Sequence, residues 1–264
     1  MPEFTAKDVQ ALRQSTGAGM MDAKKALTEA DGDMEAARKV LREKGLAKAG
    51  TRTDRENTEG AIAVATGEGR AAIAQLKSET DFAAKNEAFA TLTQRLADDV
   101  LANGESALEA AKDQIDDLKV TIKENIEAGR AVLVEAAPGN ILDTYLHTQE
   151  GRGVNAVVVE LAGGTPELAH DLSVHIAFTK PAYLTRDQVP ESDVADERAT
   201  LEDLTRKEGK PEQAIDKIVE GRLTSWFQEQ VLLEQKFIRD EKQTVKQLLG
   251  DAELVRFEQV LIGT

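Results

Sequence analysis

The sequence predicts an α+β protein in which a small helical module precedes two related units that combine helices with small antiparallel sheets. Three observations support this fold class. Apolar residues recur at helical spacing at the start of the chain, and the hydrophobic period then changes to that of strands. A strand hairpin followed by a helix occurs twice. A long charged helical segment interrupts the second of these units.

The first predicted element is a module of three short helices. Thr5 with Asp8 three residues later has the spacing of a capping box. A second helix is expected at residues 20–30 and a third one that ends near Gly45. Because residues 46–59 are polar and have no hydrophobic period, they are expected to form a linker.

The first α+β unit begins with strands at residues 60–66 and 70–77, which the turn GEG joins into a hairpin. A helix follows, and its apolar face consists of Phe89, Leu92, Leu96 and Val100. The stretch AVLVEA at residues 131–136 is predicted to be the third strand of this unit.

The second unit repeats this order, with strands at residues 141–148 and 153–161, a helix at 166–178 and a last strand at 253–262. The hairpin turns of the two units, TGEGR and TQEGR, are closely similar and indicate an internal duplication. Two charged helices around Gly209 are expected to form an antiparallel hairpin inserted before the last strand.

These elements divide the chain into three predicted domains. They are the helical module with its linker at residues 1–55, a first α+β subdomain at 56–138, and a second one at 139–264 that contains the insertion at about 185–237.

The composition describes a globular protein with an acidic surface. The 264 residues are 41% hydrophobic, which is enough for a substantial core. Thirty-three Lys and Arg against 48 Asp and Glu give a formal net charge of −15. Because this charge repels a phosphate backbone over most of the surface, nucleic acid is not expected as a direct partner.

The chain contains no cysteine, which excludes a disulfide framework and a thiolate metal site. The first ten residues, MPEFTAKDVQ, lack the apolar run of a secretory signal, and no other run reaches the length of a membrane span. These features predict a cytoplasmic protein that does not contact a membrane.

The sequence provides little for a catalytic site. Among the three histidines, His147, His170 and His175, the last two are five residues apart, which does not align two metal ligands on one helix face. The stretch GAGMMDAKK at residues 17–25 lacks the full glycine spacing of a phosphate loop and follows a helix instead of a strand. No catalytic residue, metal ion or cofactor is predicted.

Two apolar features have no obvious place in a core. The adjacent Met20 and Met21 cannot both face the interior of so small a module, so one is expected to be exposed. If Thr80 or Asp81 caps the predicted helix, Phe82 falls in its first turn and the ring would overhang the helix end. Because Phe82 precedes Phe89 by seven residues, it could equally extend the buried face. Both positions of the ring stay open.

Several blocks of the chain are very similar to bacterial elongation factor Ts. The two most specific are LRQSTGAGMMDAKKALTEADGDMEAARKVLREKG at residues 12–45 and SETDFAAKNEAF at residues 78–89, which occur in the order and spacing of that family. Residues 175–190 and 209–237 also resemble it, so the similarity runs over nearly the whole chain. The resemblance implies a ubiquitin-associated-like three-helix domain, two related α+β subdomains and an inserted antiparallel helical pair.

This resemblance implies that the chain would be a guanine nucleotide exchange factor for elongation factor Tu and not an enzyme. The element that intrudes near the partner's magnesium site would be Thr80, Asp81, Phe82 and Ala83. The remaining partner-binding residues would be Leu12, Arg13, Gly17, Met20, Met21 and His147.

The sequence departs from the family's common pattern at Ala23, Ser78 and Ala83, where Cys, Cys and Val are usual. The first two changes are expected to be tolerated, whereas Ala83 is expected to reduce apolar contact beside Phe82. The given sequence ends directly after its last predicted strand, so the further C-terminal helix of some relatives is not expected within it.

Two other functions stay open. A three-helix module can bind proteins without exchange activity, which would make the chain an adaptor. A small-molecule enzyme has less support, because no convincing acid, base, nucleophile or metal cluster is present in the sequence. Self-association also stays open, since the helical insertion can pair with a second copy or extend into solvent.

Overall fold

The computed structural model describes residues 4–50 and 52–263, without the side chain of Lys48. Parts of the predicted terminal domains and linker, at residues 1–3, 51 and 264, lie outside the described residues. The fold is α+β with antiparallel strand pairing, as the sequence predicts. No helix in the described ranges combines the length and apolar character needed to cross a membrane.

Three helices form the N-terminal module. They are α1 (Ala6–Thr16), α2 (Met20–Glu29) and α3 (Met34–Gly50). The predicted capping box is present, because the Asp8 carboxylate accepts a hydrogen bond from the backbone N–H of Thr5 at 2.7 Å and Thr5 Oγ1 accepts one from the N–H of Asp8 at 3.4 Å. Gly17 ends α1 in the left-handed conformation, with φ of 65°. The core of the module includes Val9, Leu12, Ala23, Ala26, Leu27 and Ala37.

The third helix is longer than predicted, since it continues past Gly45 to Gly50. Gly45 does not end the helix but lies where α3 packs against another helix, α7 (Lys112–Ile122). A Cβ atom at position 45 would be only 2.5 Å from Cγ1 of Val120. The glycine therefore permits close approach of two helices, and α3 includes residues 46–50, which the sequence assigns to the linker.

The first α+β unit contains the predicted hairpin and returning strand, but its helical part is divided. Its elements are β1 (Glu59–Gly67), β2 (Arg70–Ser78), α4 (Asp81–Ala84), α5 (Glu87–Asn103), α6 (Ala107–Ala110), α7 and β3 (Glu127–Glu135). Asn86 separates α4 from α5, because its Oδ1 accepts a hydrogen bond from the N–H of Ala88 at 2.9 Å and caps a new helix. Phe82 and Phe89 therefore belong to different helices.

The second unit follows the same plan with additional elements. They are β4 (Ile141–Gln149), β5 (Arg152–Ala162), α8 (Pro166–Thr179), α9 (Glu191–Lys207), α10 (Glu212–Gln230), β6 (Lys236–Phe237), β7 (Asp240–Thr244), α11 (Val245–Leu249) and β8 (Glu253–Leu261). In each unit the returning strand pairs with the second strand of the hairpin, β3 with β2 and β8 with β5. This shared topology agrees with the predicted duplication. The ribbon β6–β7 and α11 were not predicted.

The predicted helical insertion is formed by α9 and α10, which the turn around Gly209 connects into a hairpin. Its own small core includes Leu201, Ile215, Val219, Leu223 and Phe227. His175 of α8 lies at the point where the chain leaves this hairpin, and it is fully buried there.

The two units join at one end of β5, so that a single six-stranded sheet runs in the order β3-β2-β1-β5-β4, with β8 also paired to β5. The joint is the pair Ile62 and Gly153, where a Cβ on the glycine would be 2.2 Å from the Ile62 carbonyl oxygen. Next to it, Arg152 donates from Nη1 to the Gly60 carbonyl at 2.6 Å and pairs through Nη2 with the Glu59 carboxylate at 2.7 Å. The hairpin end of the second unit is thereby fixed to β1.

Candidate functional site

The α4 turn presents Phe82 to solvent, with 81% of its surface exposed. Thr80 is the N-cap residue, and its Oγ1 accepts a hydrogen bond from the N–H of Ala83 at 3.2 Å. With the cap at Thr80, the ring falls in the first turn and lies outside the core formed by Phe89 and its neighbours. Of the two positions left open by the sequence, the structure has the exposed one.

Glu124 anchors Thr80, the N-cap residue of this turn, through two hydrogen bonds. Its carboxylate accepts hydrogen bonds from Thr80 Oγ1 at 2.7 Å and from the Thr80 backbone N–H at 3.1 Å. The buried Ser78 hydroxyl donates to the Thr80 carbonyl at 2.9 Å. Sequence reasoning missed Glu124, because it follows α7 and is 44 residues away from Thr80 along the chain. These bonds give the turn a fixed backbone.

Ala83 and Ala84 point into the interior and are buried, with 5% and 0% of their surface exposed. The Ala83 side chain therefore lies beneath the exposed surface of the turn, and the expected reduction of apolar contact beside Phe82 stays a prediction.

Lys85 connects the turn to the second unit. Its ammonium lies 2.6 Å from the Asp81 carboxylate, pairs with the carboxylate of Glu150 in the β4–β5 turn, and stands 5.5 Å from the centroid of the Phe82 ring. The hydrogen bond from Lys85 lowers the pKa of Asp81, and the bonds to Asp81 and then to Glu150 raise the pKa of Lys85. Both shifts favour the charged forms of Asp81 and Lys85. The spacing of four residues between Asp81 and Lys85 was the available signal in the sequence.

The helical module exposes both methionines, Met20 at 49% and Met21 at 62%, whereas the sequence led us to expect one of them to be exposed. The interior face of α2 is occupied by Ala23, Ala26 and Leu27, which leaves its first turn outside the core. Two adjacent flexible thioethers on a surface provide an adaptable apolar contact.

Leu12 does not share this surface, because it is fully buried in the core of the module. Direct contact between the Leu12 side chain and a partner is incompatible with this position, so that prediction is corrected. Leu12 faces inward because it lies three residues after Val9 on the apolar stripe of α1, whereas the adjacent Arg13 is exposed. Gly17 is also exposed, at the end of α1.

His147 lies on β4 and is exposed, with its ring centroid 6.5 Å from that of Tyr145. It lines a depression of about 640 Å³ together with Tyr145, Arg152 and Phe178. Phe178, at the end of α8, is 77% exposed and was not singled out from the sequence. The sequence could have indicated Phe178 by its place in the last turn of the predicted helix, beyond the residues that face the sheet.

The predicted residues thus lie on three elements, and two of these come close together. The Phe82 turn and the β4–β5 hairpin that carries His147 are connected through Lys85 and Glu150, whereas Arg13, Met20 and the neighbouring residues lie on the helical module.

Within the described part of the chain, no group of three or more His, Cys, Asp or Glu side chains could hold a metal ion.

A family model described as "Elongation factor TS" matches residues 79–264, which include the Phe82 turn and the β4–β5 hairpin. The chain belongs to the elongation factor Ts family. Elongation factor Ts of Acidothermus cellulolyticus is 42% identical over 281 aligned positions, which cover 100% of this chain and 99% of the relative. The proteins of the same name from Clavibacter michiganensis subsp. michiganensis and Mycobacterium ulcerans are each 42% identical, with 96% and 98% of both chains covered. These similarities include the helical module, which the family model does not reach.

Proposed function

We propose that this elongation factor Ts family member is a guanine nucleotide exchange factor for elongation factor Tu. It promotes GDP release by disturbing the magnesium and phosphate site of that GTPase. The observation that carries the proposal is the Phe82 ring, 81% exposed on a turn that Thr80 caps and Glu124 anchors. An exposed ring on a fixed backbone is suited to enter a partner without prior rearrangement.

The proposed mechanism uses displacement and no chemical step on this chain. A magnesium ion bridges and neutralises the phosphates of a nucleotide bound to a GTPase. When the turn at residues 80–83 pushes aside the elements that support this ion, GDP is held less tightly without being touched. Linkage makes the effect reciprocal, so GTP binding in turn weakens the complex with the exchange factor. The chain then acts as an exchange factor that needs no cofactor.

One ring cannot supply the whole effect. A thousandfold faster release corresponds to about 4 kcal/mol at ~1.36 kcal/mol per decade, whereas burial of one Phe contributes roughly 1.5–3 kcal/mol. Further contacts are needed, and the exposed candidates are Arg13, Gly17, Met20, Met21 and His147. Because they lie on separate domains, we expect an interface well above the roughly 1,600 Å² of a standard complex.

The same proposal places the chain in the cytoplasm, where elongation factors work, with the GTPase and not nucleic acid as its direct partner. The formal net charge of −15 supports this choice of partner.

The proposal is tested with elongation factor Tu from the same organism, loaded with a fluorescent GDP analogue. Unlabelled GDP is added in excess, and release of the label is followed with and without this chain at micromolar concentration. We expect release to accelerate with the concentration of the chain. Binding to elongation factor Tu without acceleration would instead support a non-exchanging adaptor, and it would contradict the proposal.

A further inference from the structure

The hairpin turn of the second unit reaches the turn that carries Phe82 in the first unit. Glu150, at the tip of the β4–β5 turn, pairs with Lys85, and the same ammonium contacts Asp81 at 2.6 Å. Its Nζ is also 5.5 Å from the centroid of the exposed Phe82 ring. One cation therefore connects a residue of the second unit with the face of the ring in the first.

The backbone of Glu150 is in a conformation that a residue with a side chain rarely adopts. Its φ is 51°, and that of the next residue, Gly151, is 83°. The matching turn of the first unit has the same Glu-Gly pair, but there only Gly69, and not Glu68, has a positive φ. The two turns thus differ at the glutamate, although their sequences are closely similar. Asn or Gly at position 150 would adopt this conformation more readily.

The residues that follow Glu150 fix the turn on the first unit. Arg152 bonds to the Gly60 carbonyl at 2.6 Å and pairs with Glu59, and its side chain is 10% exposed. Gly153 is in backbone contact with Ile62. Because these anchors lie two and three residues after Glu150, they determine where its carboxylate stands relative to α4.

We propose that Lys85 and Glu150 are positioning residues for nucleotide exchange. Glu150 holds the Lys85 ammonium over Phe82, so that the ring is kept in one orientation before it meets the GTPase. The inference rests on the proposed function, because it assigns a role to residues that support the same ring. When the Lys85 ammonium contacts an aromatic face and two carboxylates, rotation of the Lys85 side chain and of the Phe82 ring is restricted. Less conformational freedom then remains to be lost when the ring enters the partner.

Such a role separates activity from stability. Exposed ion pairs contribute little to folding, and Lys85 and Glu150 are 28% and 62% exposed. We expect Lys85→Met and Glu150→Asn each to lower the maximal rate of GDP release roughly two- to fivefold, without lowering the urea midpoint. Asn is chosen because it tolerates a positive φ. Lys85→Arg keeps the cation and should keep the rate.

The double variant tests whether the two residues act together. If Glu150 works only through Lys85, the variant that carries both changes should be no slower than the slower single variant. Glu220→Gln is the matched control, since it removes an exposed ion pair with Arg198 in the helical insertion, and it should leave release unchanged.

A second measurement follows the ring in the absence of a partner. The chain is labelled with 4-fluorophenylalanine, and the Phe82 signal is identified by its loss in Phe82→Leu. We expect Lys85→Met and Glu150→Asn to shift or broaden this ¹⁹F signal, and the Glu220→Gln control to leave it in place.

The outcomes distinguish the two proposals. An active parent chain whose single variants release GDP at the parent rate, or whose losses simply add in the double variant, would overturn the positioning role alone. An unchanged Phe82 signal in Glu150→Asn would do the same. A parent chain that does not accelerate release at all would overturn the proposed function, and the inference with it.

Discussion

Gly153 lies so close to Ile62 that a Cβ atom on it would be 2.2 Å from the Ile62 carbonyl oxygen. This contact is the backbone joint between the two α+β units, and it is a close approach of main chain to main chain. A side chain at position 153 cannot be accommodated by rotation of a neighbour, because the atom it meets belongs to the backbone. The joint between the units therefore leaves no room for a methyl group at position 153.

Gly153→Ala should lower the free energy of unfolding by about 1–3 kcal/mol, as overpacking of a close contact does. The measurement is urea denaturation followed by circular dichroism. Gly221→Ala in α10 is the matched control. Apart from its two chain neighbours and the nearby backbone of its own helix, no atom lies within 4 Å of the Cβ that alanine would add, and its φ is not positive. That control should gain roughly 0.5–1 kcal/mol from helix propensity. If both substitutions changed the free energy of unfolding equally, the close contact between Gly153 and Ile62 would be contradicted.

Phe82→Ala is expected to impair exchange far more than folding. Because the ring is 81% exposed, the free energy of unfolding should change by less than about 0.5 kcal/mol. Loss of the roughly 1.5–3 kcal/mol from burying a Phe corresponds to release that is about ten- to a hundredfold slower at ~1.36 kcal/mol per decade. Fluorescent GDP release and urea denaturation are measured on the same preparation.

Phe89→Ala provides the comparison for that substitution. This ring is fully buried, so its removal should cost about 3–5 kcal/mol of stability. A Phe82→Ala chain that is strongly destabilised, yet exchanges normally at low temperature, would show that the ring works in folding and not in exchange.

The sequence predicted the order of helices and strands well, because local patterns determine them. The two hairpins, the capping box at Thr5 and the helical insertion depend on alternation, turn residues and caps that lie within a few positions of one another. The end of α3 was misplaced for the opposite reason. Gly45 has the appearance of a helix terminator, but its function is contact with Val120, which only the tertiary structure brings there.

The candidate site was predictable in part for the same reason. Whether Phe82 is exposed depended on whether one helix or two follow Thr80. Because Asn86 caps a second helix, Phe82 does not share the buried face that contains Phe89. The supporting residues Glu124 and Glu150 come from distant segments and carry no local signal. Leu12 was misassigned because its block resembles a partner-binding segment, whereas its own place on the apolar stripe of α1 predicts burial.

The buried His175 should make stability depend on pH. Its Nε2 lies 2.9 Å from Gln235 Oε1, and its Nδ1 accepts from the N–H of Ile238 at 3.3 Å, so the neutral ring with the proton on Nε2 fits both partners. Burial lowers the pKa of His175, against a smaller opposing effect of Gln235. The folded state therefore binds this proton less readily than the unfolded state does.

Stability from this group is fully present above the ordinary pKa of about 6.5 and is lost as the pH falls from there through the lower pKa of the folded state. We expect the free energy of unfolding in urea to decrease between about pH 7.5 and 5.5. His147→Gln, which replaces an exposed histidine, should leave this decrease in place. A free energy of unfolding that stays constant over the same pH range would contradict the lowered pKa of His175 in the folded state.

The packing of the helical module on α7 can be tested by a substitution whose effect depends on the residue at position 120. Gly45→Ala should be destabilising in the parent chain, because its Cβ would lie 2.5 Å from Cγ1 and 2.9 Å from Cγ2 of Val120. In a Val120→Ala background both methyl groups are absent and the nearest remaining atom, Cβ of residue 120, is 3.3 Å away. There the helix propensity of Ala over Gly, roughly 0.5–1 kcal/mol, opposes this one remaining close contact, so Gly45→Ala should destabilise far less than in the parent chain. Urea denaturation of the four chains measures the coupling, and additive effects would mean that α3 and α7 do not meet at this glycine.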